Sequence, residues 1–189
     1  ISLGLVGSEM CIRDRSSGLV GNYNISYATG NLTVNQANLT ITANSTSTQY
    51  GLGTTLGSTA FTSSGLQNSE TIGNVVLASA GSANTTNVGT YNITASGASN
   101  GTFSASNYNI SYVNGSLVVN QANLTLRAND QARTYGAANP STGNVTITSG
   151  QLYNSDALAT ATVTSAANAT SNVGNYTLTA SNHCLLYTS

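Results

Sequence analysis

The sequence predicts a mainly β protein built from tandem copies of a small antiparallel β-sandwich-like repeat of 85 residues, with at most one short helical turn per repeat. Three observations predict it. The chain matches itself at one offset: Tyr23-Asn24-Ile25-Ser26-Tyr27 returns as Tyr108-Asn109-Ile110-Ser111-Tyr112, and Asn35-Gln36-Ala37-Asn38-Leu39-Thr40 as Asn120-Gln121-Ala122-Asn123-Leu124-Thr125. Tyr50-Gly51 and Tyr135-Gly136 keep that offset, as do Asn87-Val88-Gly89 and Asn172-Val173-Gly174. A fixed period marks repeated structural units. Apolar residues recur in short alternating runs, the pattern of half-buried strands, and Gly, Asn and Ser bound these runs where turns belong.

One whole unit spans residues 37–121. Leu39-Thr40-Ile41-Thr42-Ala43 alternates and reads as its first strand. Tyr50-Gly51 and a Gly/Thr/Ser-rich loop follow, then the apolar group Val75-Val76-Leu77. Ser69-Glu70-Thr71-Ile72 is the only helix candidate, a single turn that a Ser could cap. Residues 88–95 alternate again, and so do Tyr108 to Tyr112. Asn114-Gly115 is a hairpin signal, because a type I′ turn needs positive φ at both central residues; Leu117-Val118-Val119 is expected to complete that hairpin. Gly30/Gly115, Gly51/Gly136 and Gly89/Gly174 read as turns or positive-φ positions. From Val118 to Leu124 the chain passes into the next unit without Gly or Pro, so consecutive units are expected to dock on one another in a stiff string.

The repeat fails at both ends. Residues 1–15, ISLGLVGSEMCIRDR, carry Glu9, Arg13, Asp14, Arg15, the only Met and one of the two Cys; residues 183–189 carry the only His and the other Cys. The final CLLYTS can be encoded by TGTCTCTTATACACATCT, whose reverse complement reads Met-Cys-Ile-Arg-Asp, the order of residues 10–14. Both ends resemble the translated mosaic end of a transposon-based sequencing adapter and are set aside. Residues 1–6 lack the ordered charged, apolar and cleavage regions of a signal peptide. The expected layout is therefore 1–15 foreign tail, 16–36 end of a repeat, 37–121 complete repeat, 122–182 truncated repeat and 183–189 foreign tail.

Between the tails the only charges are Glu70, Arg127, Asp130, Arg133 and Asp156, with no Lys, Cys, His or Trp. No basic patch exists for nucleic acid, and no apolar run approaches the roughly 20 residues of a membrane helix. Neither a disulfide framework nor a transition-metal motif can be assembled. Ser and Thr abound, but no conventional base stands ready to activate them, so no enzyme and no cofactor are expected. His183 and Cys184 lie in the tail and are not recruited. Glu70 and Asp156 have no second carboxylate at calcium-loop spacing.

The stretch Leu124 to Pro140, LTLRANDQARTYGAANP, resembles the YG-type MBG repeat of large bacterial surface proteins and adhesins. Its strand and Thr-Tyr-Gly…Asn-Pro turn carry the likeness, supported by Asn87 to Tyr91 and Tyr108 to Gly115. The middle copy departs, with Tyr50-Gly51-Leu52-Gly53 in place of the Asn-Pro turn. The resemblance covers residues 16–182. It implies a stalk or adhesive role, often beside filamentous-haemagglutinin-type secretion regions, and it brings no catalytic residues.

Tyr50 and Tyr135 are the candidate ligand-contact residues: exposed aromatic anchors for a glycan or protein, or else tyrosines whose rings pack while their hydroxyls tie a loop. Tyr23/Tyr27 and Tyr108/Tyr112 lie two apart and share a strand face, a core pattern. Asn-X-Ser/Thr at Asn24, Asn31, Asn38, Asn92, Asn109, Asn123 and Asn175 matches glycosylation sequons, though strand alternation also places polar residues two apart. The expectation is a non-catalytic stalk segment of a bacterial cell-surface or secreted adhesin, located outside the cell. Its partners would be neighbouring repeats and a host glycan or surface protein, without nucleic acid or membrane insertion. The alternatives are a glycan- or protein-binding module, or an accessory domain of a large secreted enzyme.

Overall fold

A computed structural model describes residues 24, 26–140, 142–143, 145–158, 161–181 and 185–186. The chain divides into two units, Ile1–Asn35 and Gln36–Ser189. In the first unit, the described residues carry no strand, and Tyr27, Leu32 and Val34 are exposed. The 1–15 tail and Tyr23 lie outside the described residues.

The second unit holds both later repeats. In the first of them β1 (Ala37–Ala43) is flanked by β3 (Phe61–Ser64), antiparallel, and β6 (Tyr108–Val113), parallel. A four-stranded sheet follows the order β2 (Thr46–Gln49), β7 (Gly115–Asn120), β5 (Gly89–Gly101), β4 (Ile72–Ala78). Here β2–β7 is parallel, while β5 pairs antiparallel with both β7 and β4. Alternation turns Leu39, Ile41 and Ala43 of β1 inward. They meet Val75, Ile93, Ala95, Tyr108 and Leu117 in one core between the sheets. Each fully buried Leu, Ile or Val side chain there contributes roughly 1.5–3 kcal/mol.

The sandwich is as expected; the all-antiparallel pairing is not. Tyr108–Val113 and Gly115–Asn120 form no hairpin. Ala37↔Tyr108 through Thr42↔Val113 and Thr46↔Leu117 through Gln49↔Asn120 share one parallel register, so the first and last strand pairs run side by side. Both cross from one sheet to the other at the same level, near Asn44 and Asn114. Neither Asn114 nor Gly115 has positive φ. Gly115 is required for another reason: a Cβ there would lie 2.5 Å from the Ala43 carbonyl oxygen, where the two backbones bend together. Gly51 and Gly136 do have positive φ, at 88° and 87°, whereas Gly30, Gly89 and Gly174 do not.

Ser69 to Ile72 form no helix. Asn68 and Ser69 adopt φ of 51° and 57°, and the Glu70 N–H donates to the Gln67 carbonyl at 2.9 Å, giving a tight left-handed turn. The short helical turn sits instead at Ala105–Asn107. The second repeat shows the same turn at Asn154 and Ser155, φ 51° and 65°, one residue later than the repeat period puts it. Gln151 is an insertion: Leu66-Gln67-Asn68-Ser69-Glu70 matches Leu152-Tyr153-Asn154-Ser155-Asp156. A compensating deletion restores the register before Asn172.

In that second repeat β8 (Leu124–Ala128) pairs antiparallel with β10 (Val145–Gly150). β12 (Ala161–Thr164) lies between β9 (Thr142–Gly143) and β13 (Thr179–Ser181), and β11 (Ala157–Leu158) pairs with β14 (Leu185–Leu186). The short strand β14 thus falls in the segment read as a foreign tail; residues 183, 184 and 187–189 lie outside the described residues. Among the described residues β8 has no parallel partner. Accordingly Leu124 and Leu126 are half-buried where the matching Leu39 and Ile41 are buried. Only residues 121–123 separate β7 from β8.

Candidate functional site

The parallel pairing of β2 with β7 determines where the Tyr-Gly motif lies. Both strands end together, and the Tyr50 N–H donates to the Asn120 carbonyl at 2.9 Å. Tyr50 therefore stands at the point where the chain leaves one repeat for the next. Gly51, in its left-handed conformation, donates its N–H to the Asn84 carbonyl at 3.2 Å.

The neighbouring repeat packs on this corner with its Tyr153–Asp156 turn. The Tyr50 hydroxyl donates to Asp156 Oδ2 at 2.9 Å, and the Tyr50 and Tyr153 rings meet edge to face, 6.4 Å apart at 88°. Asn154 Nδ2 donates at 2.9 Å to the Asn84 carbonyl that Gly51 also uses. A Cβ on Gly51 would overlap the Tyr153 ring, so glycine is demanded twice, by φ and by the neighbour. The Tyr50 ring is half-buried and its hydroxyl ties a loop that belongs to the next repeat.

Tyr135 is 67% exposed. Gly136 repeats the backbone of Gly51, donating to the Ala169 carbonyl at 3.2 Å. Among the described residues no atom lies within 4 Å of where its Cβ would stand. Beside it a cleft of about 680 Å³ is bordered by Arg133, Tyr135 and Asn139. In the first repeat β2 matches the border of this cleft, and β7 covers it there. Arg133 donates to Asn139 Oδ1 at 2.7 Å and to the Asn168 carbonyl, and the Asn139 side-chain amide donates to the Ala167 carbonyl. The first repeat lacks this Asn-Pro turn, and the Thr54 N–H bonds the Ser82 carbonyl instead. The Thr48 hydroxyl, at the position of Arg133, donates to the Gly53 carbonyl at 2.7 Å and closes the loop from within.

Four further tyrosines, Tyr91, Tyr108, Tyr112 and Tyr176, use their hydroxyls to hold other segments in place. The Tyr91 and Tyr176 hydroxyls each donate to a carbonyl four residues back, at Asn87 and Asn172. Tyr108 is buried; its hydroxyl donates to Glu70 Oε2 at 2.5 Å and accepts from the Gln67 N–H. The bond to the Glu70 carboxylate holds the phenol above its ordinary pKa. Tyr112 is 37% exposed, and its hydroxyl accepts from the Ala98 N–H. Arg127 and Asp130 form an exposed pair at 2.7 Å, of a kind worth ~0–1 kcal/mol. Asn24, Asn31, Asn38, Asn92, Asn109, Asn123 and Asn175 are all exposed, and Asn38, Asn92 and Asn109 lie on the wet face of strands. Among the described residues no three His, Cys, Asp or Glu side chains gather as metal ligands, and no helix is long and apolar enough to cross a membrane.

Tyr153 and Asp156 are the residues that sequence reasoning missed. Their signal was the match of residues 66–72 with 152–158, hidden by its one-residue departure from the period.

Comparison with known proteins bears on the same segments. No curated protein and no solved structure gives a significant match. The family described as MBG domain (YGX type) matches residues 39–118 and 124–184, two adjacent segments that together span most of the chain and hold both Tyr-Gly corners. The chain therefore belongs to the MBG domain family of the YGX type, a repeat domain of surface proteins.

Proposed function

We propose that this chain is a non-catalytic segment of the extracellular stalk of a bacterial adhesin, in which successive repeats hold a distal region away from the cell. One observation carries the reading: the first and last strand pairs of the complete repeat are parallel and adjacent. The chain consequently enters the repeat beside the start of β6 and leaves it at the opposite end, beside the end of β2. The thirteen-residue β6–β7 path at roughly 3.3 Å per residue advances the chain by about 40 Å. With three residues between repeats, the path runs head to tail.

The same arrangement suits tension. Pulling the two ends of a repeat apart slides β1–β2 against β6–β7 along their length, so the hydrogen bonds between them resist together. Single-molecule stretching of the chain tests this. Repeats should unfold one at a time, each releasing roughly 250 Å of chain, the extended length of the unit less its folded span. Unfolding at forces no higher than those of strands peeled apart from one end would refute the stalk mechanism. Antibody labelling of intact source cells tests the location; label appearing only after lysis would refute it.

A further inference from the structure

The Tyr-Gly corner occurs twice in this chain and, among the described residues, is occupied once. At Gly51 it holds the Tyr153–Asp156 turn of the following repeat. At Gly136 it has the same φ and the same N–H bond to the matching loop. Tyr135 beside it is 67% exposed, and the volume over Gly136 is open among the described residues. The complementary turn also occurs twice. Gln67 to Glu70 repeats the two left-handed residues and the closing hydrogen bond of Tyr153 to Asp156, 2.9 Å against 2.8 Å, and carries a carboxylate at the same position.

We propose that the Tyr-Gly motif is the inter-repeat joint of the array, and that Tyr135-Gly136 is the docking surface for the Asn-Ser-Asp/Glu turn of a further repeat. The tyrosine hydroxyl of one repeat donates to the turn's carboxylate, the glycine leaves room for the residue before Asn, and the carbonyl beside the corner receives the Asn amide. A carboxylate presents about four acceptor positions, so Glu70 can keep Tyr108 within its own repeat and still receive a tyrosine from the preceding one. Because socket and turn sit at opposite ends of a repeat, the contact is head to tail and propagates along an array without closing. The inference holds for any array of these repeats, adhesin or not.

Tyrosine iodination read by mass spectrometry tests it, first on the present chain. There Tyr135 should react about tenfold faster than Tyr50, the protection given by a joint closed about nine-tenths of the time. Next, residues 98–182 are appended after Asn182, continuing the period through one more turn of the Tyr153–Asp156 kind. Tyr135 should then slow to the rate of Tyr50 while Tyr112 keeps its rate. Replacing the appended copy of Asp156 with Ala should restore fast reaction at Tyr135. Equal rates at Tyr50 and Tyr135 in the present chain would overturn the joint itself. A fast Tyr135 in an extended chain whose circular dichroism shows the added strands would overturn its generality. If the appended segment does not fold, the chain carrying Gly51→Ala decides: Tyr50 must accelerate about tenfold there, and an unchanged rate overturns the proposal.

Discussion

Removing the Tyr50 hydroxyl isolates the polar half of the joint. Tyr50→Phe keeps the ring and its edge-to-face contact with Tyr153 but deletes the 2.9 Å bond to Asp156. A hydrogen bond to a charged group contributes about 1.5–3 kcal/mol when buried. Both partners here are half-buried, which reduces the expected loss to about 1 kcal/mol. Tyr50→Ala also forfeits the aromatic pair, a further ~0.5–1.5 kcal/mol. Asp156→Ala alone should cost about as much as Tyr50→Phe, and the two together should cost little more than either. Urea denaturation of the four proteins, followed by circular dichroism, yields the coupling energy, expected near 1 kcal/mol. The reasoning is refuted if the two losses add to within about 0.3–0.5 kcal/mol, the behaviour of sites that do not touch.

Two other perturbations probe the repeat. Gly115→Ala places a methyl against the Ala43 carbonyl at the sheet crossing and should cost ~1–3 kcal/mol of overpacking, whereas Gly89→Ala meets only the Tyr91 ring at 3.5 Å and should be mild; equal shifts in urea midpoint would contradict the crossing argument. Because the Tyr108 phenol is raised in the folded state by Glu70, its stabilising contribution is complete below the unfolded tyrosine pKa of about 10 and is lost as pH climbs through the folded value. Phenolate absorbance of the folded protein should contain a late component that Tyr108→Phe removes, and an unchanged titration curve in that variant would contradict the assignment.

Strand faces were legible in the sequence because alternation reports burial directly: Leu39, Ile41 and Ala43, or Leu117 and Val119, announce one inward face. Strand partners were not legible. Alternation specifies which side of a strand is buried, but not which strand lies beside it. The Asn114-Gly115 pair illustrates the gap. It carries the composition of a hairpin turn, yet its glycine answers a backbone 71 positions away in register, at Asn44 and Ala43. The joint was hidden for a different reason. Tyr50 was visible as a repeated aromatic, but its partners lie one residue off the period, and tyrosine, asparagine and aspartate become a site only when the three-residue link folds one repeat against the next. The Ser-capped turn at residues 69–72 fails as a helix because Asn68 and Ser69 stand at φ near 51° and 57°, a region that Asn visits, and the Gln67 carbonyl bond closes the turn there.

Two structures act in series when such an array is stretched, and their magnitudes set the order in which they yield. The Tyr50–Asp156 joint is held by one aromatic pair and a few hydrogen bonds, whose gross contribution of about 2–3 kcal/mol is offset in part by the entropy of ordering the groups that meet, leaving it closed about nine-tenths of the time. The parallel strands are held by ten register pairs that shear together, with the buried core behind them. The joint should therefore open first. Its opening gains little length, because residues 121–123 span at most roughly 10 Å when extended. An array would respond to gentle tension by small reversible extensions at each Tyr-Gly corner, and only at higher force by the loss of whole repeats. Gly51→Ala should abolish the first response without lowering the force of the second. If instead it lowers the unfolding force of the sandwich, the corner is part of the repeat's own stability, and joint and clamp are not separate devices.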